Sequence, residues 1–452
     1  MRKKTIKQIK TAGVPSTVKV VFFGLGAVGS SMLICLSELA ERDGVNIRFL
    51  VFTIDPIAAQ ESLYHAENFM NRVEMIGVKS FDPIFSYEEP YADMLADSVL
   101  LINAALPNFN EPIIELGLHI GAHTADLAAD MYNKETSHSN VFTQYAYDYP
   151  LKKKGLASMI NMGISPGITN FLIGEHIRYL TSSDRKELEI ESIDLYLLED
   201  IDADTVVFSW SPAVALEELS QHPKQLCDGK MVTFPPFTFA LNYTFPHEQH
   251  SCRQYPLYQE ELLSLHRTYP DIKTIRVFTG GYEVELVKIL YQLNLLSKAS
   301  VGNNSKLTVE AMVREVMPGM KKPRRIEDFL RSGVIRRAHF CAAAEIRVSE
   351  FVRNERQTSI QTVGLSFLRY QGLLNTPYAG ATYIAYPTAV GAAILVWHTL
   401  GHIWEYPDSI SGVVTGEELA SLLPHSRIDA VRRDLVGWDI NIFESVRDAE
   451  NM

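Results

Sequence analysis

Two patterns of apolar and polar residues alternate along the first 160 positions. Short, nearly continuous apolar runs are typical of parallel strands that are covered on both faces. Between these runs, apolar residues recur at helical spacing, most clearly over 30–40 and 111–120. The predicted strands lie at 19–23, 46–53, 98–105, 122–128 and 157–162. This alternation predicts a doubly wound α/β domain around a parallel sheet.

The pattern changes after Gly163, where longer strands are predicted over 188–198 and 271–279. Prolines at 235, 236, 246 and 256 interrupt the intervening sequence and predict irregular connections. A second domain of the α+β type is therefore expected to begin around Asn161.

A glycine-rich turn joins the first predicted strand to the helix that follows. Gly24 permits a tight turn, Gly26 lets the backbone approach a ligand closely, and Gly29 lets the helix pack against the strand. This arrangement predicts a dinucleotide site in which the helix N-terminus, with Ala27 and Val28, faces the pyrophosphate. A glycine turn of purely structural purpose is the alternative.

Asp55 comes just after the second predicted strand, where a carboxylate can accept hydrogen bonds from both ribose hydroxyls of NAD. The same carboxylate would repel the 2′-phosphate of NADP, so the sequence predicts a preference for NADH. Asp55 can also cap the helix that Pro56 begins, and the two roles are compatible.

Composition limits the classes of function. The chain has 452 residues, of which 46% are apolar, which predicts two domains with sizeable cores. A formal net charge of −12 argues against non-specific nucleic-acid binding. The four cysteines lack CxxC spacing, so neither a zinc site nor a disulfide framework is expected and a reducing cytoplasm fits best.

An uncharged stretch from Tyr370 to Trp404 is long enough to cross a bilayer. Prolines, glycines and histidines interrupt it, so a buried helix over 388–400 is predicted and membrane insertion is not.

Histidine spacing gives no metal prediction. His119 and His123 are separated by Gly121 and a predicted strand start, and the segment 247–250 lacks the His-Glu-x-x-His spacing of zinc proteases. The basic run 321–325 could hold a carboxylate, but a solvated loop is the favoured interpretation.

Ser165, Pro166 and Gly167 precede an apolar helix, with Ser165 placed to cap it and Pro166 suited to its first turn. Such a helix end can receive a carboxylate or an amide. An ordinary capped helix explains the same three residues.

Several segments, taken in order, resemble the saccharopine dehydrogenase-like oxidoreductases over nearly the whole chain. The likeness is nearest to the carboxynorspermidine dehydrogenase branch. The family likeness rests on the glycine turn and on 101–107, 121–128, 161–170, 208–212, 228–230, 386–393 and 412–419, and the likeness to the branch rests on 258–265 and 275–282.

This resemblance implies a reductase that joins an amino-acid semialdehyde and an amine through an imine, then reduces the C=N bond with NAD(P)H. It also implies a homodimer and a C-terminal segment that returns to the nucleotide domain. The implied division is a nucleotide domain over 14–160, an α+β substrate and dimerisation domain over 161–377, and the return over 378–452. Asn103 and Ala104 are expected near the cofactor.

Two departures from the family pattern leave the substrate open. Ser165 stands where Asp commonly precedes Pro-Gly, and Ala129-Asp130 replaces Asn-Tyr. Saccharopine-type and homospermidine-synthase-like activities are alternatives within the same chemistry. A dinucleotide-binding redox sensor without turnover is the alternative from another class.

Imine reduction needs a proton donor, a site for the amino-acid carboxylate and, for a diamine, a carboxylate for the distal ammonium. Asp126 and Asp130 are the acidic candidates, and His123 and Tyr132 are possible donors. A residue of each of these types, taken alone, is more often a surface or turn residue. The expected substrate contacts are Ser165, Pro166, Gly167 and Trp210.

Overall fold

The computed structural model describes residues 17–129, 140–182, 188–208, 212–246, 251–301, 304–316, 326–352 and 355–449. The chain forms two compact units, each built from two stretches of sequence. Unit 1 comprises 1–171 and 388–434, and unit 2 comprises 172–387 and 435–452. The division at 160 and 377 that the resemblance implies stays a prediction.

The strands are β1 Thr17–Phe23, β2 Asn46–Thr53, β3 Val73–Gly77, β4 Ser98–Asn103, β5 His123–Asp126, β6 Ala157–Met159, β7 Leu188–Ala203, β8 Lys224–Cys227, β9 Lys230–Thr233, β10 Leu241–Thr244, β11 Ser251–Leu257, β12 Thr274–Gly281, β13 Ser300–Val301, β14 Asn304–Thr308, β15 Ile335–Val352, β16 Glu355–Phe367, β17 Gly412–Val414 and β18 Asn441–Asp448.

The helices are α1 Ala27–Asp43, α2 Pro56–Ser62, α3 Asp82–Phe85, α4 Tyr91–Leu95, α5 Asn110–Ile120, α6 Asn140–Tyr145, α7 Asp148–Lys154, α8 Thr169–Ser182, α9 Pro212–Leu219, α10 Glu260–Thr268, α11 Tyr282–Gln292, α12 Val309–Val316, α13 Ile326–Arg331, α14 Ala385–Glu405, α15 Gly416–Leu422 and α16 His425–Gly437.

Unit 1 contains a parallel sheet of seven strands in the order β17-β6-β5-β4-β1-β2-β3. The chain first builds outward from β1 through β2 to β3, and then starts again at β4 on the other side of β1. The predicted doubly wound fold is therefore confirmed, with its topological switch point between β1 and β4.

Burial explains why the predicted strands form. Residues 20–23 of β1 and 49–52 of β2 are all at most 2% exposed, as expected for strands that are covered on both faces. Phe23, Phe52, Phe81 and Ile84 lie in one core cluster with Leu101 of β4. The continuous apolar runs thus correctly predicted a sheet interior.

The C-terminal return is confirmed at β17, which pairs in parallel with β6 inside the sheet of unit 1. The predicted buried helix over 388–400 lies within α14. All residues from 389 to 396 are buried, and those other than Gly391 have an exposure of 0%. In the part of the chain that the structure describes, no helix combines the length and hydropathy needed to span a membrane.

Unit 2 contains a mixed sheet of nine strands with β10-β11-β12-β7-β15-β16-β18 as its main order and β8 and β9 to one side. β7 and β12 pair in parallel, whereas β15 pairs antiparallel with both β7 and β16. The predicted strand over 188–198 continues to Ala203, and that over 271–279 begins at Thr274. The last strand, β18, joins unit 2 through β16.

Candidate functional site

The glycine turn lies at the carboxyl end of β1. Gly24 has a φ of +83° and donates its N–H to the carbonyl of Phe52 at 2.8 Å, which fixes the turn against the end of β2. Gly26 stands at the N-cap of α1, and a Cβ built on it meets no atom within 4 Å. The first N–H groups of α1 have no acceptor within the helix. Open space therefore lies before an uncapped helix start, which fits a phosphate.

The loop after β4 closes onto this turn. Ala104 donates its N–H to the carbonyl of Phe23 at 3.0 Å. A Cβ on Gly24 would lie 2.8 Å from Cβ of Ala105, and one on Gly29 would lie 2.9 Å from Cβ of Ala104. Gly24 and Gly29 are therefore required by packing, whereas Gly26 is not.

Asn103 organises the loop that begins at its own position. Its Nδ2 donates to the carbonyl of Leu106 at 2.9 Å and to Oδ1 of Asn110 at 2.6 Å. Its Oδ1 accepts from the N–H of Ala105 at 3.0 Å. The amide of Asn103 thus shapes the edge of the crevice, and cofactor contacts by Asn103 and Ala104 stay predictions.

Asp55 lies exposed just beyond β2, on the other side of β1 from that loop. Its Oδ1 accepts from the N–H of Ala58 at 3.0 Å, and Pro56 begins α2. The capping role is confirmed, and contact with a ribose stays a prediction. The neighbouring Ile54 and Ile57 are 66% and 70% exposed, so apolar surface flanks this carboxylate.

Asp126 ends β5 as a buried bridge between two segments. Its Oδ1 accepts from the N–H of Asn161 at 2.7 Å, and its Oδ2 accepts from Nε2 of Gln144 at 2.6 Å. Burial raises the pKa of Asp126 to about 7, although both hydrogen bonds act in the opposite direction. Both oxygens of Asp126 therefore accept hydrogen bonds within the protein, and a catalytic role for this acid stays a prediction.

His123 does not lie with Asp126 at the carboxyl end of the sheet. His123 begins β5, so three residues of strand, or about 10 Å, separate it from Asp126. Its Nδ1 accepts from the N–H of Ala157 at 3.0 Å, and burial lowers the pKa of the imidazole to about 4. Asp130, Tyr132 and Trp210 lie outside the described residues.

The prediction that Ser165 caps a helix is wrong, because α8 begins only at Thr169. Ser165 is extended, with φ of −150° and ψ of 103°, and Gly167 has a φ of +130° that no helix accommodates. The Thr169 hydroxyl instead donates to the carbonyl of Ile164 at 2.6 Å. Substrate contacts by Ser165, Pro166 and Gly167 stay predictions.

Glycines let three elements approach the loop 161–168. A Cβ on Gly163 would lie 2.8 Å from the carbonyl oxygen of Leu127, which follows β5. A Cβ on Gly391 of α14 would lie 2.6 Å from Cγ1 of Ile168, and one on Gly416 of α15 would meet the carbonyl oxygen of Gly167. The loop is therefore held rigidly at the carboxyl end of β6.

Sequence reasoning did not identify Gln144 and Asn161 as site residues. Gln144 is fully buried and its partner Asp126 is 18 positions away, so no local pattern marks it. Asn161 is 2% exposed and has a φ of +56°. The predicted strand over 157–162 includes Asn161, and the residue type is the only sequence signal for its left-handed conformation.

Metal ligation has no support in the part of the chain that is described: there, no group of three or more His, Cys, Asp or Glu side chains could hold a metal ion. The segment 247–250 and the basic run 321–325 lie outside the described residues.

Comparisons with known proteins agree with this architecture. The model of the saccharopine dehydrogenase C-terminal domain matches residues 163–421. A carboxyaminopropylagmatine dehydrogenase from Synechocystis sp. is 25% identical over 181 residues, which cover 39% of this chain and 43% of that protein. The chain thus spans less than half of that relative's length.

Among solved structures, the apo saccharopine dehydrogenase (L-Glu forming) from Saccharomyces cerevisiae superimposes with a TM-score of 0.64 at 15% identity. The match covers 95% of this chain and 100% of the yeast chain. At this identity the likeness concerns the fold.

Proposed function

The chain belongs to the saccharopine dehydrogenase family, and from this premise we propose that it is a nicotinamide-dinucleotide-dependent reductase of an imine. The observation that carries the proposal is the glycine turn at the switch point of the parallel sheet. There a Cβ on Gly26 would enter open space before the start of α1, which is where a pyrophosphate needs backbone N–H groups.

The residues around this turn suit the adenosine half of the cofactor. Ala27, Val28 and Gly29 would present their N–H groups to the pyrophosphate, and the exposed carboxylate of Asp55 would accept from the ribose hydroxyls. The exposed side chains of Ile54, Ile57 and Leu106 offer apolar surface for an adenine ring. The bound cofactor would supply the hydride for the reaction.

We propose an imine formed from an amino-acid semialdehyde and an amine as the substrate. The family supports this chemistry, and the Synechocystis relative is named as a dehydrogenase of carboxyaminopropylagmatine. In unit 1, Asp126 would hold the loop 161–168 in place beside the cofactor crevice. With both oxygens already engaged, Asp126 would act on the substrate only through that loop.

The test is the decay of NADH and NADPH absorbance with defined pairs of substrates. Aspartate semialdehyde and aminoadipate semialdehyde would each be combined with diaminopropane, putrescine, agmatine or glutamate. The proposal expects decay with at least one pair and none when either partner is omitted. The Gly26→Val variant is the control: its dinucleotide site should be blocked, so no decay of absorbance is expected.

Absence of decay with every pair, together with tight NADH binding, would contradict the proposed reaction and favour a redox sensor. A homodimer is part of the same proposal, and light scattering of the purified chain at several concentrations would test it. A monomer throughout that range would contradict this part alone.

A further inference from the structure

The Asn161 side chain has no role in the fold that the contacts explain. It is 2% exposed, and neither Oδ1 nor Nδ2 has a hydrogen-bond partner among the described residues. Native proteins pair the large majority of buried polar side-chain atoms, since an unpaired donor or acceptor is costly. Glycine would adopt the φ of +56° and avoid that cost.

The backbone of Asn161, by contrast, is held at every point. Its N–H donates to Oδ1 of Asp126 at 2.7 Å, and the N–H groups of its two neighbours donate to the carbonyls of Val414 and Asp126, each at 2.9 Å. A Cβ on Gly167 would lie 3.0 Å from the carbonyl oxygen of Asn161. The fold therefore fixes an unpaired amide in one place.

That place is on the side of the sheet where the second half of a dinucleotide would lie. In a doubly wound sheet the first three strands and the next three each bind one mononucleotide half. Asn161 follows β6, which is two strands and therefore about 10 Å from β4, the strand that borders the switch point. The glycine turn and Asp55 suit the adenosine half, which leaves β4 to β6 for the nicotinamide half.

An asparagine amide offers one acceptor oxygen and an NH₂ donor, and this is the complement of a carboxamide. A substrate carboxylate would satisfy the donor and leave the acceptor unpaired. Resting on the function proposed above, we propose that the Asn161 side chain pairs with the carboxamide of the nicotinamide ring. Asp126 and Gln144 position it through the backbone.

Calorimetric titration of NADH and ADP-ribose into the wild type and Asn161→Gly tests this pairing. Glycine adopts a φ of +56° without strain, so the substitution removes the amide and leaves the backbone conformation accessible. The dissociation constant of NADH is expected to rise about tenfold, as for the loss of two neutral hydrogen bonds. The constant for ADP-ribose, which lacks nicotinamide, is expected to stay unchanged.

Reduced 3-acetylpyridine adenine dinucleotide gives a second measurement, because a methyl group replaces the NH₂ of its carboxamide. The wild type is expected to bind this analogue more weakly than NADH, and Asn161→Gly to bind both alike. Unchanged NADH affinity in the folded variant, or the same discrimination in both proteins, would overturn the pairing alone. Failure of the wild type to bind either NADH or ADP-ribose would overturn the proposed cofactor as well.

Discussion

Gly26 is expected to be necessary for nucleotide binding but not for folding. Gly26 has a φ of −96°, which any residue adopts, and its missing side chain would meet no protein atom within 4 Å. We expect Gly26→Val to abolish binding of NADH and ADP-ribose while the thermal unfolding temperature stays close to that of the wild type. A branched side chain would occupy the position of the pyrophosphate.

Gly437 provides the matched control, because a Cβ there also meets nothing within 4 Å. Gly437→Val should leave nucleotide affinity unchanged. Tight nucleotide binding by a folded Gly26→Val protein would disprove the assignment of the glycine turn.

Asp55 should decide between the two nicotinamide cofactors. Charge-assisted hydrogen bonds to the ribose hydroxyls contribute about 1.5–3 kcal/mol, so Asp55→Ser should weaken NADH binding by about one to two decades. The same change removes the repulsion of a 2′-phosphate and should narrow or reverse the preference for NADH. Dissociation constants of both cofactors for both proteins measure this.

Serine remains a good N-cap for α2, so the stability of Asp55→Ser should change by only a few tenths of a kcal/mol. Measuring stability beside cofactor affinity therefore separates the capping of α2 by Asp55 from its proposed contact with the ribose. Tighter binding of NADPH than of NADH by the wild type would leave Asp55 as a helix cap only.

Asp126 should give the protein a pH-dependent stability. Burial raises its pKa in the folded state from near 4 to about 7, so between these values only the folded state holds the proton. Protonated Asp126 therefore stabilises the folded state fully below pH 4. The free energy of unfolding should then fall by about 1.4 kcal/mol per pH unit as the pH rises from 4 to 7.

Asp126→Asn should remove that slope, as measured by urea denaturation across the pH range. Asparagine can keep the hydrogen bond from the Asn161 N–H, and Gln144 can turn its amide to accept from the new NH₂. The buried Oε1 of Gln144 has no partner among the described residues in the present arrangement. An identical pH slope in wild type and variant would refute the assignment.

At the scale of elements, the C-terminal return holds the loop 161–168 by backbone contact. α15 begins at Gly416 behind a capping box of Thr415 and Glu418, and a Cβ on Gly416 would collide with the carbonyl oxygen of Gly167. We expect Gly416→Ala to destabilise the protein by about 3 kcal/mol, since backbone cannot move aside as a side chain does. Chemical denaturation measures this loss.

Gly437→Ala is the comparison, because its new methyl group meets no neighbour. Nucleotide affinity should fall with Gly416→Ala and stay constant with Gly437→Ala. Equal stability of the two variants would show that the start of α15 does not press on the loop.

At the scale of the whole molecule, unit 1 is completed by a stretch more than 200 residues beyond its first part. Val390, Ile394 and Leu395 of α14 are fully buried, and β17 extends the parallel sheet. A chain ending at Pro387 should therefore lose cooperative thermal unfolding, bind a hydrophobic dye and fail to bind NADH. A chain ending at Asp434 keeps all of unit 1 and should retain NADH binding.

A cooperative unfolding transition in the chain that ends at Pro387, at the temperature of the full-length protein, would show that the return is dispensable. The two truncations differ in the helices α14 to α16 and in β17, so the comparison isolates these elements.

The sequence alone determined the strand-turn-helix unit, the parallel sheet and the buried helix around 388–400. Their signals are local: apolar periodicity, the spacing of Gly24, Gly26 and Gly29, and the placement of Asp55 after a strand all lie within short windows. The burial of apolar side chains follows that periodicity and does not depend on residues far away in the sequence. The structure therefore confirms these predictions.

The tertiary structure alone decided what the side chains near the end of β5 do. The hydrogen bonds of Asp126 join residues 18 and 35 positions apart, and no sequence window contains such a set. His123 and Asp126 are close in sequence, yet a strand carries them to opposite ends. Ser165 matched a helix cap locally, but the left-handed Gly167, which α15 packs against, delays the helix to Thr169. Long-range packing, which local propensity does not encode, therefore set the chemistry of the site.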